Sequence, residues 1–523
     1  MKAQFEWHRY KYFPYEQKLA YRELKVLTGG KPRTTKVGLS VAVPRKWRRI
    51  ATRTTYFSRV IAETGESVIP SQALLELGTA LRDGAADKEE TYLQLRRQST
   101  RYSAHGIHEY RGKFNPQIVH AIGNILSLKE GDWVLDPFCG CGTTLLEAAH
   151  NGWNSIGVDL NPLGVLIARA KIVSMRISPI VLSTSAAEIR DSLSGQTKAT
   201  TSAESSLDME SREYLSKWFP RSVLTQLFRI LDSIGELESE QARRIFEVVL
   251  SDILRDVSQQ DPSDLRIRRR KTPIPNTDVI SIYLNTLAKR LESIVAARRF
   301  VKQVLTVQDA LYGDSRECSL LVRSRLKLRP NLRFDAAITS PPYATALPYI
   351  DTQRLSLILL GLKKPAELHT TVRALIGNRE IGERERSDLE AKLRDNPTQL
   401  PEQSIRICRE LLGALDSHSD GFRRKNVPAL LYKYLCDMSM VFGQVQQLLR
   451  TEGPFALVVG RNRTRLGGKE HVIDTPRLLA EIAEQVGYTV ELFEELDTYQ
   501  RYDRHRLNSI TSETLLVLRS GKQ

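Results

Sequence analysis

DPFCGCGTT, residues 136–144, is the stretch on which the reading of this chain turns. It closes a hydrophobic run, Trp133-Val134-Leu135, and opens a helical one, Leu145, Leu146, Glu147, Ala148, Ala149. Glycines at 140 and 142 let the backbone turn tightly and approach a ligand at that helix's N-terminus. Downstream, Ser155 to Val158 reads as the next strand and closes on Asp159, about twenty residues past the first strand, which completes a β-α-β unit. Upstream, Ile118, Ile122 and Ile125 fall on one face of a helix from about Pro116 to Leu126. A second peptide, TSPPY at 339–343, also follows a strand-like run, Phe334 to Thr339. In an open parallel sheet, ligands bind at the carboxyl ends of the strands, where both peptides lie.

At 523 residues the chain exceeds what one core usually organises. Lys and Arg number 77 against 61 Asp and Glu, a formal charge of +16, which favours a polyanionic partner. The five cysteines (139, 141, 318, 408, 436) are scattered and fit a reducing compartment, not a disulfide framework. Cys139 and Cys141 have no second CxxC or His cluster to complete a zinc site, so no metal is expected. The opening residues, MKAQFEWHRYKYF, carry no apolar signal core, and the run Leu355 to Leu362 is too short to span a bilayer; a cytoplasmic protein with no membrane partner is expected.

Residues 1–100 interleave aromatic and basic residues (Trp7, His8, Arg9, Tyr10, Lys11, Tyr12; Arg45, Lys46, Trp47, Arg48, Arg49). Such a region either grips phosphates and bases or is a solvated basic surface with a few packed aromatics. Residues 101–190 hold the β-α-β half of the core. Region 191–303 begins with a polar linker, 191–206, and continues as helices from about Glu213 to Arg299. Within it, Arg266, Arg268, Arg269, Arg270 and Lys271 form a basic loop, read as either a nucleic-acid contact or a solvated loop. Core strands return at Val304–Val307 and in the catalytic segment, within 304–350. A charged helical insertion occupies 351–427. Residues 428–523 close with a helix (Leu430–Leu449), a strand (Phe455–Val459), a helix (Thr475–Val486) and two strands (Thr489–Phe493, Thr514–Leu518). The fold expected is α/β, a seven-stranded Rossmann-like sheet interrupted by helical insertions and preceded by a basic N-terminal region.

Three carboxylates end strand-like runs. Asp136 is placed for an ammonium group, Asp159 for both ribose hydroxyls, and Asp314, after Tyr312-Gly313, for an adenine amino group. Together they suit S-adenosylmethionine and would repel a pyrophosphate cofactor. Each also has a plain structural alternative, since Asp is common at strand ends and helix caps. In TSPPY, Ser340 Oγ and the Pro341 carbonyl can accept both hydrogens of an exocyclic amino group, freeing its lone pair for attack on a sulfonium methyl. Pro342 restricts the conformation before it, and Tyr343 offers a ring for stacking. A base within a duplex must be flipped out to reach such a pocket.

On these residues the chain resembles the amino-methyltransferases that act on DNA, most of all the branch that forms N4-methylcytosine. The family's cofactor loop matches Phe138, Gly140, Gly142 and Thr143 with Asp136 ahead of them, and its catalytic tetrapeptide matches Ser340, Pro341, Pro342 and Tyr343. A further cofactor segment resembles Arg111 to Pro116, so that Lys113, Phe114 and Pro116 are implied to shape the methionine end of the pocket. The resemblance covers roughly 105–171, 304–350 and 428–519. Adenine-methylating relatives usually carry Asp or Asn in place of Ser340, which favours cytosine. The order of motifs, cofactor loop first, departs from many SPPY enzymes and keeps adenine N6 open. Cytosine carbon-5 chemistry is disfavoured, because that family's Pro-Cys pair is absent. The resemblance implies double-stranded DNA as partner, with or without a separate restriction endonuclease. RNA amino-methylation, and a non-catalytic nucleic-acid-binding protein on a decayed core, are the competing readings.

Overall fold

The computed structural model of the chain describes residues 1–82, 99–195, 202–261, 268–272, 274, 277–301, 306–327, 329, 331–344, 350–416, 418–497 and 512–521. The first five strands are β1 (Lys2–Trp7), β2 (Arg33–Thr34), β3 (Gly38–Ala42), β4 (Phe57–Ala62) and β5 (Ser67–Val68), which form an antiparallel sheet ordered β2-β3-β1-β4-β5. Its aromatic residues do not project to grip bases. Tyr10, Tyr12, Trp47, Tyr56 and Phe57 are buried, and the rings pack on one another, Trp7 on Phe57 at 4.8 Å and Tyr10 on Tyr12 at 4.7 Å. Of the two readings of residues 1–100, this burial favours a basic surface with packed aromatics: the rings form a small sheet's core, with Arg45, Lys46, Arg48 and Arg49 exposed around it.

A sheet of seven strands follows. Its members are β6 (Trp133–Asp136), β7 (Asn154–Asp159), β8 (Gln308–Tyr312), β9 (Ala336–Thr339), β10 (Pro454–Gly460) and, after a separate hairpin of β11 (Asn462–Leu466) and β12 (Lys469–Ile473), β13 (Tyr488–Asp497) and β14 (Ser512–Ser520). The order is β13-β14-β10-β9-β6-β7-β8, parallel from β10 to β8 and antiparallel at β14. This is the expected α/β architecture. Its central strands are buried on both faces, as continuous apolar runs require. In β10, Phe455, Leu457 and Val459 join the core on one face, while Ala456 and Val458 face the other.

The second face is closed by the N-terminal unit. Helix Pro14–Thr28 packs against helix Pro116–Ile125, and Val60 and Tyr56 share one cluster with Val134, Ile338 and Val517. A polar seam fixes the joint. Glu23 accepts hydrogen bonds from Thr55 Oγ1 (2.6 Å) and Asn124 Nδ2 (2.7 Å), while Arg53 donates to Asn124 Oδ1 (2.9 Å).

Several boundaries differ from the sequence expectation. The third parallel strand is Gln308–Tyr312, later than 304–307, of which residues 304 and 305 lie outside the described residues. The first helical insertion already begins with helix Pro179–Ser194, which packs on helix Arg221–Gly235. The expected linker 191–206 is partly structured, with Ser202 and Ala203 amides donating to Asp232; residues 196–201 lie outside the described set.

Candidate active site

The tips of β6, β7, β8 and β9 surround a crevice. The glycine loop forms its floor. Gly140 adopts φ +49°, and its amide donates to Asp159 Oδ2 at 2.8 Å. Asp159 Oδ1 accepts from the Asn161 amide at 2.9 Å, so the strand-end carboxylate is aimed by backbone alone. Burial raises its pKa, against the two amide bonds. A Cβ on Gly140 would stand 3.6 Å from the Tyr110 ring, filling space in the crevice. Gly142 has a different purpose. At φ +75° it precedes helix Thr143–Asn151, and a Cβ there would lie 2.6 Å from Ala168 Cβ, so it permits close packing of two helices.

Asp159 and Asp314 line the crevice with Phe138, Gly140, Ser340 and Pro342. Asp136 lies behind that wall. It is 3% exposed, and its Oδ1 accepts from the Phe138 amide (3.0 Å) and Thr339 Oγ1 (2.6 Å). Burial pushes its carboxyl up to about 6, against these hydrogen bonds and one from Thr144. In this arrangement its chemistry is that of a joint between the cofactor loop and the catalytic strand, not of an exposed acceptor for an ammonium group. Asp314 is gripped by Arg316, whose Nε lies 3.0 Å from Oδ1; Arg316 also donates to Asp437 Oδ1 (2.9 Å) and to the Ala374 carbonyl (3.0 Å). Arg316 thereby fastens the second helical insertion to the crevice, and Ala374, Leu375 and Ile376 of that insertion form part of its wall.

The segment before the glycine loop contributes through other residues than expected. Tyr110 and Gly112 line the crevice, whereas Lys113, Phe114 and Asn115 line an adjoining pocket. Lys113 Nζ donates to the carbonyls of Thr100 (2.7 Å) and His105 (3.3 Å), and burial with Lys171 nearby lowers its pKa to about 7. Pro116 is buried at the first turn of its helix, and Thr143 is buried beneath the loop. Tyr110 and Asn161 were missed in the sequence. The Asn-Pro pair after Asp159, a helix-start signal, was the available clue.

In the 339–343 peptide, Ser340 and Pro342 face the crevice and Pro341 is buried. Tyr343 is half-buried, and its hydroxyl donates to Glu513 Oε1 at 2.6 Å. Asn462 of the β11–β12 hairpin donates to the Ala344 carbonyl. Residues 345–349 lie outside the described set.

The basic loop is largely committed to the fold. Arg270 donates to the carbonyls of Ser258 (3.0 Å), Gln260 (3.1 Å), Arg255 (3.1 Å) and Asp256 (2.9 Å). Arg269 donates to the Lys217 carbonyl and sits 5.7 Å from the Trp218 ring centroid. Arg268 and Lys271 are exposed, and Arg266 lies outside the described residues. Spacing also concealed a buried cluster, His105, Glu147 and His150. Glu147 Oε1 accepts from His105 Nε2 (2.8 Å), His150 Nδ1 (3.0 Å) and Tyr102 Oη (2.8 Å), hydrogen-bond lengths that make the cluster a polar node under the cofactor helix.

The family model described as DNA methylase matches residues 81–169, the stretch containing the glycine loop and Asp159. Type II methyltransferase M.MjaII of Methanocaldococcus jannaschii is 47% identical over 68 residues, 13% of each chain. M.BsoBI of Geobacillus stearothermophilus is 26% identical, covering 51% of this chain and 55% of its own length. M.AvaI of Nostoc sp. is 22% identical over 85% of this chain and 92% of its own. Residues 81–169 are thus similar to a DNA methylase family, and longer parts of the chain to type II methyltransferases, whose cofactor is S-adenosylmethionine. The first two relatives are matched over no more than about half of their length. The crevice fits the family's cofactor. The space beside Gly140 that a Cβ would fill, the amide-aimed Asp159 and the rings of Phe138 and Tyr110 form a cradle for a nucleoside. Among the described residues, no helix is long and apolar enough to cross a membrane.

Proposed function

We propose that this protein methylates the exocyclic N4 of cytosine in double-stranded DNA, on a base flipped from the duplex, as the modification enzyme of a restriction–modification system in the cytoplasm. The observation that carries the reading is that Ser340 and Pro342 share one crevice with Gly140 and Asp159. A methyl donor held at Gly140 and Asp159 would therefore lie in the same crevice as the 339–343 peptide. Asp159 would hold the ribose hydroxyls, Phe138 and Tyr110 would enclose the adenosine, and Asp314 would face its base. When bound, S-adenosylmethionine supplies an electrophilic methyl group on sulfonium. Ser340 Oγ and the Pro341 carbonyl accept the two amino hydrogens of the target, which favours a pyramidal nitrogen with its lone pair free. The Tyr343 ring, anchored through Glu513, receives the base face.

Cytosine in preference to adenine is supported by Ser at position 340, where adenine-methylating relatives usually carry Asp or Asn, while the motif order leaves adenine N6 as the alternative. The names of M.BsoBI and M.AvaI, both type II methyltransferases, support the restriction–modification setting; a separate cognate endonuclease is part of the proposal, not of that support. DNA from a host expressing the chain should contain N4-methylcytosine when digested to nucleosides and analysed by mass spectrometry. N6-methyladenine instead would reassign the base. Unmodified DNA from a host whose protein binds S-adenosylmethionine would overturn the reading.

A further inference from the structure

The β11–β12 hairpin stands apart from the seven-stranded sheet. Its strands pair from Asn462 with Ile473 to Leu466 with Lys469, across a Gly467-Gly468 turn in which both glycines have positive φ. A lone hairpin is marginally stable in water, so this one needs anchors. Leu466 and Ile473 are buried, and the Gly467 amide donates to Asp420 Oδ2 at 2.8 Å. At its base, Asn462 donates to the Ala344 carbonyl and accepts from Thr475 Oγ1 at 2.9 Å. The hairpin is thus tied directly to the residue that follows the catalytic tyrosine.

Among its exposed side chains, three cations stand beside Glu470 and Val472. Arg463, Arg465 and Lys469 are exposed, and the acid nearest to them, Glu470, makes only an exposed 3.6 Å pair with Arg463. Beside β11 packs the short helix Phe422–Lys425, which follows the anchoring Asp420 and adds exposed Arg423 and Arg424, paired with Glu380 (3.3 Å) and Asp420 (3.8 Å). Two segments distant in sequence therefore build one basic surface at the catalytic end of the crevice. The hairpin's buried contacts are made by Leu466 and Ile473, while Arg465 donates to the Gly468 carbonyl at 2.9 Å across the turn and keeps its charge at the surface.

We propose that the 462–473 hairpin, with helix 422–425, grips the phosphate backbone of duplex DNA beside the flipped base and couples that grip to the catalytic loop through Asn462. The charge of the surface matches a polyanion, and its position sets the contact close to Tyr343. This inference rests on DNA being the substrate.

The test uses the full chain carrying Arg463→Ala, Arg465→Ala and Lys469→Ala, a fluorescein-labelled DNA duplex and a salt series, with S-adenosylmethionine binding followed by calorimetry. Loss of three phosphate contacts should make the slope of log affinity against log salt shallower by about 2.7, at about 0.9 per contact, with cofactor binding unchanged. Wild-type affinity and slope in the triple variant would overturn the hairpin assignment while leaving the methyltransferase reading intact. A wild-type protein that binds S-adenosylmethionine but prefers an RNA hairpin to the duplex would overturn both. Should the triple variant melt early, Lys469→Gln at the exposed turn serves instead, with an expected slope change of about 1; no change would count against the proposal.

Discussion

The two ends of the crevice are built in opposite ways. At the cofactor end, the parts are near neighbours in sequence: Gly140 and Asp159 lie 19 residues apart and are joined by one amide–carboxylate bond. At the catalytic end, support arrives from far away. Tyr343 is fixed by Glu513, 170 residues downstream, and Ala344 by Asn462, 118 residues downstream. The Gly140–Asp159 contact is thus local to one supersecondary unit, although Asp314 and Ala374 to Ile376 reach that end from afar, whereas Tyr343 and Ala344 are held by distant elements, β14 and the β11–β12 hairpin. The former can be altered without touching the latter, and the difference is open to attack by mutation.

The strongest separation is expected from the pair Gly140→Val and Ser340→Ala. Gly140→Val forces a branched side chain into a positive-φ position against the Tyr110 ring, and calorimetry should detect no S-adenosylmethionine binding. Ser340→Ala should leave that binding intact while single-turnover methyl transfer falls about 10²–10³-fold, the usual loss for one positioned charge-stabilising group. Equal loss of cofactor affinity in both variants would erase the distinction between the ends.

Asp136, which bonds Thr339 across the junction, should reveal itself by pH. Its carboxyl is raised from 3.8 to about 6 by burial, against its hydrogen bonds. The folded chain then holds this proton more tightly than the unfolded chain, so stability falls as pH rises from about 4 to about 6 and stays lower above it. Two pKa units amount to about 3 kcal/mol. The melting temperature of Asp136→Asn relative to wild type should climb across that window and then level off. A constant difference would mean that Asp136 does not titrate there.

Arg316→Ala removes the fork that joins Asp314, Asp437 and the Ala374 carbonyl. Hydrogen bonds to charged groups contribute about 1.5–3 kcal/mol, so cofactor affinity should weaken about ten- to a hundredfold. Arg316→Lys, which keeps charge without the fork, should restore only part of it. An unchanged dissociation constant would detach the second insertion from the cofactor end. The smallest effect belongs to Tyr343→Phe. It retains the ring but loses the bond to Glu513, which is worth about 0.5–1.5 kcal/mol and should appear as a two- to tenfold rise in KM for DNA with cofactor affinity constant.

What the sequence made legible follows the same division. The strand, turn, helix and acid of the cofactor end form one short span, and the apolar runs of a doubly buried sheet announce themselves. Gly142 looked equivalent to Gly140 because both stand in one motif; only the position of Ala168 across the helix pair separates a packing glycine from a ligand glycine. Lys113 and Arg270 read as cations available to ligands, and each proved to spend its donors on nearby carbonyls. The hairpin escaped because Asn-Arg-Thr-Arg lacks the apolar alternation of a strand, although Gly-Gly between two short runs is a turn signal. The wall supplied by Ala374 to Ile376 has no local signature, since only the folded insertion carries it to the crevice.

The seating of the N-terminal sheet has a consequence for how the chain comes into being. Lys18 bonds Asp497, 479 residues later, and the face that β1 to β5 cover is completed only by β10 and β14. A ribosome therefore releases the covering unit long before the surface it covers exists. Ordering contacts of such separation is slow, and the half-made sheet displays Ala336, Ile338 and Val134 to the surroundings while it waits. Yield of native protein should accordingly hinge on synthesis speed and chaperone supply more than on any one core side chain, and removal of the first seventy residues would leave that waiting surface permanently open.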